Sequence, residues 1–315
     1  MDIRVIYVIP SIHLLYYMLC ISVPFYTQRY HASIPLFGIT FKTLKIMLQP
    51  TKEHLHSLNF VEKHTFALAN WCNVHLKNYF IQWNALFMYA LIWFGLSRRL
   101  TVKGLENVAD VTPSSSVLLA SNHRTFFDFF VITWINFDRS NLPRRILFPV
   151  RANFFYTNYI GFCLNFVMGG CAMFPPIFRE HEKKGFNTYA IDRIADELEQ
   201  GGVTIGMHPE GTRNKSSDPY SVLPAKPGIG HVLTKTTKAT VIPIFIIGMS
   251  NRYIKEVWKN WFAPKRYPIV VYYGQKVEFT DTDPHTMSDI IVEKIRDLAE
   301  THRTSQDIEG KNGKL

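Results

Sequence analysis

Past Leu100, short apolar runs of strand length alternate with amphipathic stretches of helical length. The strand-like runs are Ser116–Asn122, Val203–Met207, Thr240–Ile247 and Pro268–Gly274. The helical stretches begin near Thr125 and cover Asn187–Gln200, Gly228–Thr237 and Asp289–Thr301. Strands that alternate with helices usually pair in parallel through crossover connections. This order therefore predicts an α/β fold with a mixed, partly parallel sheet flanked by helices.

The first third of the chain has a different pattern. Val5–Gln28 carries no formal charge and is long enough to span a bilayer, which takes about 20 residues. A second uncharged run, Asn78–Ser97, is rich in Trp and Tyr and is followed by Arg98 and Arg99. Such a run is typical of a membrane-interface or spanning helix whose C-terminal end faces the cytoplasm. The alternative is a pair of buried core helices.

These patterns divide the chain into three parts. Residues 1–99 are predicted to be a membrane-anchoring helical region, residues 100–302 the main α/β domain, and residues 303–315 a polar tail. We therefore expect the protein to be held at a membrane, with its α/β domain on the cytoplasmic side.

Composition favours an anionic partner. The net charge is +10, while only 19% of the residues are charged and 47% are hydrophobic. The basic residues are scattered, and no zinc-finger spacing or RNA-binding aromatic signature occurs, so we expect membrane lipids and not nucleic acid. The four cysteines lie in apolar surroundings without a CxxC pair, which predicts buried free thiols in a reducing compartment.

His123 and Asp128 lie where the first apolar strand ends, in "SNHRTFFD". On one continuous helix, a separation of five residues would leave their side chains about 140° apart. A turn at His123, with a helix beginning near Thr125, would instead place Asp128 in the first helical turn. Its carboxylate could then accept the Nδ1–H of His123 and leave Nε2 as a general base. The alternative is a helix-terminal acid beside an ordinary loop histidine.

A second polar cluster, "HPEGTR" from His208 to Arg213, follows the strand Val203–Met207. It combines an acid, a flexible glycine and a guanidinium suited to bidentate phosphate binding. The alternative is an ordinary turn with a solvated Arg213. A zinc site made of His123, Asp128, His208 and Glu210 matches no usual ligand spacing, so no metal is expected. No GxSxG elbow occurs, which favours a base acting directly on a substrate hydroxyl over a covalent triad.

Together these motifs resemble those of the 1-acylglycerol-3-phosphate acyltransferase family. "NHRTFFD" is similar to its His-x4-Asp box and "HPEGTR" to its Phe-Pro-Glu-Gly-Thr-Arg box. "LPAKPGIGHVL" and "VIPIFI" resemble its two later segments, so that the resemblance covers about Leu100 to Val277. It implies transfer of a fatty acyl group from acyl-CoA or acyl carrier protein to a glycerolipid hydroxyl, with no further cofactor.

The resemblance also implies roles for individual residues. His123 corresponds to the general base and Asp128 to its orienting partner. The box assigned to acceptor binding corresponds to Glu210, Gly211, Thr212 and Arg213. Arg179, which ends "MGGCAMFPPIFR", corresponds to a phosphate-binding arginine, although Pro175-Pro176 replaces the usual approach to it. His208 stands where an apolar or aromatic residue is usual and receives no catalytic role.

The resemblance favours 1-acyl-sn-glycerol-3-phosphate as the acceptor and phosphatidic acid as the product. Alternatives are another lysolipid acceptor, a lipid hydrolase that uses the same His-Asp pair, and a membrane-anchored binding module. A backbone N–H near Gly211 is the expected donor to the oxyanion of the tetrahedral intermediate.

Overall fold

The computed structural model describes residues 47–312. The uncharged run Val5–Gln28 lies outside them, and the domain boundaries after residues 99 and 302 stay predictions.

A six-stranded sheet forms the centre of the described region. Its strands, in the order β1-β8-β7-β2-β6-β3, are β1 (Leu100–Lys103), β8 (Ile269–Tyr273), β7 (Ala239–Ile247), β2 (Ser116–Ser121), β6 (Val203–Met207) and β3 (Ile146–Leu147). Neighbouring strands are parallel except for β7 and β8, which are antiparallel. β4 (Val150–Arg151) and β5 (Pro176–Ile177) form a separate parallel pair. The predicted α/β fold with a mixed sheet is thus confirmed, and the sheet is mostly parallel.

The central strands owe their position to their sequence. All six residues of β2 and all five of β8 are buried. Strands that are covered on both faces need such continuous apolar runs, whereas a half-exposed strand would alternate. Val, Ile and Leu therefore dominate these strands.

Ten α-helices accompany the strands in the described region. They are α1 (Lys52–His56), α2 (Phe60–His75), α3 (Lys77–Met88), α4 (Asp128–Arg139), α5 (Ala152–Phe155), α6 (Tyr159–Gly169), α7 (Lys184–Gln200), α8 (Gly228–Leu233), α9 (Tyr253–Phe262) and α10 (Pro284–Asn312). Short 3-10 turns cover Ser97–Arg99, Leu105–Val108, His181–Lys183 and Pro264–Arg266. Helix α8 contacts both α7 and α10, the latter two also contact the sheet, and α4 contacts α3.

Helix boundaries differ from the sequence expectations. α4 begins at Asp128 and not near Thr125, because the Thr125 N–H and hydroxyl both donate to the Asp128 carboxylate and close a turn before the helix. α7 begins three residues earlier than predicted, at Lys184, and α8 already ends at Leu233. α10 is longer than predicted at both ends.

The second uncharged run, Asn78–Ser97, lies largely in α3, which continues through a wider π-helical turn at Tyr89–Trp93. No helix among residues 47–312 has the length and apolar character needed to cross a bilayer. Membrane association of this run stays a prediction. One of the predicted buried thiols also differs, because Cys163 is exposed while Cys72 and Cys171 are buried.

Candidate active site

The two polar clusters meet because β2 and β6 are parallel neighbours. Ala120 pairs with Met207, so the carboxyl ends of both strands lie side by side. His208 follows β6 directly, and His123 lies two residues beyond the end of β2. Loops at this edge of a parallel sheet are where α/β proteins collect reactive side chains.

His123 and Asp128 form the predicted pair. The His123 Nδ1 lies 3.1 Å from the Asp128 Oδ2, and the histidine side chain is 22% exposed while the carboxylate is buried. A carboxylate can only accept, so Nδ1 is the donor and Nε2 of the neutral ring is an acceptor. This is the tautomer that a general base requires.

Asp128 also organises the loop around it. Its Oδ2 accepts the backbone N–H groups of Arg124 at 2.8 Å and Thr125 at 2.9 Å, and its Oδ1 accepts the Thr125 hydroxyl at 2.6 Å. Its place at the first residue of α4 adds the favourable field of the helix N-terminus. The carboxylate is therefore a structural centre as well as the partner of the imidazole.

His208 stacks on His123, with ring centroids 3.8 Å apart and ring planes 11° from parallel. Its Nδ1 donates to the Ser121 carbonyl oxygen at 2.9 Å. Burial, and then the charge that His123 would carry, lower the pKa of His208 well below its ordinary value. His208 is therefore neutral at physiological pH and holds the His123 ring from one face.

Glu210, in the second polar cluster, is hydrogen-bonded to the first polar cluster in the protein interior. The carboxylate is buried, and it accepts the backbone N–H of His123 at 2.7 Å and that of Leu223 at 3.0 Å. Burial raises the pKa of Glu210, although the two N–H groups partly offset that effect. In this geometry Glu210 is an internal brace for the His123 backbone.

Gly211 turns the chain directly after Glu210. Its φ of +63° is one that a residue with a side chain adopts only with strain. Its N–H donates to the His208 carbonyl at 3.0 Å. The N–H of Gly211 itself is thus already used, and the expectation of an oxyanion donor among the backbone N–H groups near Gly211 stays a prediction. Thr212 and Arg213 follow on the exposed side of the turn.

The guanidinium group of Arg151 lies within electrostatic reach of two others, those of Arg179 and Arg213. The charges of Arg179 and Arg213 both act on Arg151 and, after burial, lower the pKa of its guanidinium. The pairing of β4 with β5 places Arg151 opposite Ile177, two residues before Arg179. None of the three arginines forms an ion pair with a carboxylate within the described region, so their charges are available to an anion. We call Arg151, Arg179 and Arg213 the arginine cluster.

A metal fits this site poorly. Ligand atoms of His123, Asp128 and His208 lie within 4.8 Å of one another. However, both Asp128 oxygens already accept hydrogen bonds, and Glu210 holds two backbone N–H groups. The stacked imidazole rings also face each other and do not converge on one point. A cation would have to displace bonds that hold the loop together.

Part of the chain is similar to a known family. Residues 99–247 match the family model described as Acyltransferase. This stretch, just under half of the chain, is therefore similar to acyltransferase domains. The resemblance seen in the sequence is thereby confirmed over this stretch, which contains both polar clusters and the arginine cluster.

A solved structure similar to this chain is that of the 1-acyl-sn-glycerophosphate (LPA) acyltransferase PlsC from Thermotoga maritima. The two share 15% sequence identity with a TM-score of 0.42, over 78% of this chain and 96% of that chain. Comparison with curated proteins gives no match.

Of the predicted site residues, the structure brings His123 and Asp128 into contact and places Glu210 beneath them. Arg179 and Arg213 each lie close enough to Arg151 for their charges to act on it. Arg151 and the supporting position of His208 were missed. A role for His208 beside His123 could have been suspected, because each residue follows a strand and the two strands are parallel neighbours. No sequence signal marks Arg151, since only the β4–β5 pairing places it near Arg179.

Proposed function

We propose that the acyltransferase domain moves a fatty acyl group from the thioester of acyl-CoA or acyl carrier protein to the free hydroxyl of a lysophospholipid. 1-Acyl-sn-glycerol-3-phosphate is the favoured acceptor, and phosphatidic acid is the product. The arginine cluster, next to a base with its carboxylate partner, is the observation that carries this proposal.

The cluster favours a phosphate monoester in particular. Guanidinium groups bind phosphate oxygens through paired, charge-assisted hydrogen bonds. Three of them without carboxylate partners suit a headgroup with close to two negative charges better than a phosphodiester with one. A lysophospholipid that ends in a bare phosphate supplies that charge.

The reaction needs one base and no covalent enzyme intermediate. The Nε2 of His123 takes the proton of the acceptor hydroxyl while the oxygen attacks the thioester carbonyl carbon. The tetrahedral intermediate collapses, the carbon–sulfur bond breaks, and the thiolate takes the proton back from the imidazolium. Asp128 stabilises the transient imidazolium, and the neutral ring of His208 adds no repulsion.

We also propose that the protein works at a membrane, with this domain on the cytoplasmic side. Its acceptor is a bilayer lipid, and Arg98, Arg99 and Lys103 follow the uncharged run at residues 78–97. Membrane lipids and the thioester donor are its expected partners. No metal or further cofactor enters the proposed reaction.

The first experiment measures acyl transfer from radiolabelled acyl-CoA and acyl carrier protein to a panel of lysolipids, with free fatty acid followed in parallel. We expect transfer by the wild type and a loss of about 10²- to 10⁴-fold in His123→Ala. His231→Ala, which removes an exposed histidine of α8, is the matched control. Release of free fatty acid without transfer would instead establish a hydrolase.

The second experiment tests the phosphate site. Arg151→Ala should weaken apparent affinity for 1-acyl-sn-glycerol-3-phosphate about ten- to hundredfold, as expected for about 1.5–3 kcal/mol from a charge-assisted contact. Arg213→Ala should act in the same direction, and the exposed Arg144→Ala is the control. An equal loss with monoacylglycerol, which has no phosphate, would contradict the assignment.

A further inference from the structure

Helix α9 (Tyr253–Phe262) buries two polar residues and exposes most of its large apolar ones. The residues that it buries are Glu256 and Asn260. Ile254 is 86% exposed, Phe262 75% and Trp258 53%. A helix on the surface of a water-soluble domain buries its apolar face, so α9 has the opposite arrangement.

The orientation of α9 is held by specific bonds on its inner face. The Glu256 carboxylate pairs with Arg99 at 2.5 Å and with Lys259 at 3.0 Å, and it accepts the Ser250 hydroxyl at 2.7 Å. Asn260 accepts the Arg98 N–H and donates to the Phe94 carbonyl. These bonds fix which face points outward. The exposed apolar face is thus a built feature of the helix.

Aromatic side chains that follow α3 extend this face. The Trp261 ring lies 6.1 Å from that of Trp93 and 5.6 Å from that of Phe94. Both residues are more than 40% exposed. We call the combined region the aromatic surface; it consists of Trp93, Phe94, Ile254, Trp258, Trp261 and Phe262.

Basic residues surround the aromatic surface. The segment 251–267 contains five basic residues and one acid, and that acid is the buried Glu256. Arg98 lies over the Trp261 ring at 5.1 Å. The exposed cations next to the surface are Arg98, Arg252, Lys255, Lys265 and Arg266.

We propose that the aromatic surface docks α9 into the interfacial layer of an anionic bilayer, with the helix lying in the membrane plane. Trp and Phe are suited to the boundary between headgroups and acyl chains, while Lys and Arg at the edge bind anionic headgroups. We call the exposed basic residues around the aromatic surface the rim. Its positive charge favours an anionic bilayer over a neutral apolar partner. The helix follows the segment matched by the family model, which ends at residue 247.

The docked bilayer would lie beside the active site. Asn251, two residues before α9, accepts the Phe126 N–H at 2.8 Å and the Arg213 guanidinium at 3.4 Å through one oxygen. The Tyr253 ring lies 5.5 Å from that of Phe127 in the loop between His123 and α4. A membrane on α9 would thus present its lipids next to this loop.

The test uses nitroxide labels on the full-length chain bound to phosphatidylcholine–phosphatidylglycerol vesicles. Labels are placed at Ile254→Cys or Phe262→Cys in a Cys20→Ala, Cys163→Ala background, with Asp289→Cys on α10 as the exposed control. Collisions with oxygen report lipid, and collisions with a nickel chelate report water. We expect oxygen to dominate at 254 and 262 and nickel at 289.

Two results would overturn the proposal. Nickel access at all three sites would leave the face in water, and exclusion of both reagents at 254 and 262 would show that protein covers it, either residues 1–46 or a second copy. Because no acyl transfer is measured, the result is independent of the proposed reaction.

A charge-reversed variant tests the rim. Lys255→Glu/Lys265→Glu/Arg266→Glu should shift both labels from oxygen towards nickel access on anionic vesicles, whereas Lys294→Glu on α10 should not. Unchanged access in the triple variant would disprove the choice of an anionic surface.

Discussion

Helices α4 and α9 meet at the loop that carries His123, yet they are attached to the domain in opposite ways. α4 buries nine of its twelve residues, most of them apolar, against the sheet and α3. α9 buries two of its ten, an acid and an amide. Their adjoining rings, Phe127 and Tyr253, are 5.5 Å apart.

The loop that carries His123 therefore lies between one helix held by buried apolar side chains and another held by buried polar ones. α4 is held by the hydrophobic effect, which is strong and non-directional, and it fixes Asp128 rigidly under the imidazole. α9 is held by directional polar bonds, which leave its apolar side chains for an outside partner. The following predictions test that contrast, in order of decreasing effect.

The largest expected effect is on the rate of acyl transfer, after substitution of Asp128 at the start of α4. Asp128→Asn should lower acyl transfer about 10²- to 10⁴-fold, because an amide does not stabilise the imidazolium by charge. Its carbonyl oxygen still accepts the three N–H groups now held by Oδ2, and the Thr125 hydroxyl rotates to accept from the amide. We therefore expect a loss of only about 1–3 kcal/mol in the free energy of unfolding.

Transfer rates and urea unfolding of the same preparation separate the two effects of Asp128→Asn. Thr125→Val, which removes one of its hydrogen bonds, is the control and should reduce the rate much less. A folded Asp128→Asn protein with wild-type activity would contradict the role of this carboxylate.

The second prediction concerns the attachment of α9. Glu256→Ala should lower the free energy of unfolding by about 3–5 kcal/mol, because it leaves Arg99 buried without its ion pair. Replacing both, as in Arg99→Met/Glu256→Leu, should recover much of that loss. Denaturation midpoints in urea measure both variants. If the single and the double variant were equally destabilised, the ion pair would not be what holds the helix.

The third prediction concerns the effect of pH on stability through His208. The His208 ring contacts α4, because its centroid lies 4.3 Å from that of the Phe129 ring. The pKa of His208 is lowered on folding, so the unfolded chain binds more protons below pH about 6.5. The free energy of unfolding should therefore fall on acidification, by up to about 1.4 kcal/mol per pH unit, until the pKa of the folded state is passed.

His208→Gln should remove this part of the pH dependence. Comparing the variant with the wild type cancels other groups, such as Glu210, whose raised pKa acts in the opposite direction. Parallel curves for the two proteins between pH 5 and pH 7 would show that His208 is not the group responsible.

The smallest effect is expected on the outer face of α9. Ile254→Asn and Phe262→Asn should change the free energy of unfolding by no more than about 0.5 kcal/mol, because both side chains are largely exposed. Phe130→Ala in α4, where the side chain is 1% exposed, should cost about 3–5 kcal/mol. Thermal or urea unfolding without vesicles compares them. A large loss in the α9 variants would mean that the chain itself covers this face.

Local patterns made much of the fold and site predictable. The alternation of apolar runs and amphipathic stretches indicated the strands β2, β6, β7 and β8 to within one residue at each end. The turn argument for His123 and Asp128 anticipated a contact that depends on only six consecutive residues. The helix start was wrong by three residues because the turn that Thr125 closes competes with a helical first turn.

The sequence by itself determined the α/β class, the strand ends that carry polar residues, and the His123–Asp128 pair, because periodicity and turn geometry act over a few neighbouring residues. The tertiary structure alone decided that Arg151 joins Arg179 and Arg213, and that Glu210 braces the His123 backbone 87 positions away. It also decided which face of α9 points outward, since Arg99, 157 positions away, holds Glu256 inside. Contacts between residues so far apart depend on which strands and helices pack together, and that is a property of the whole packed chain.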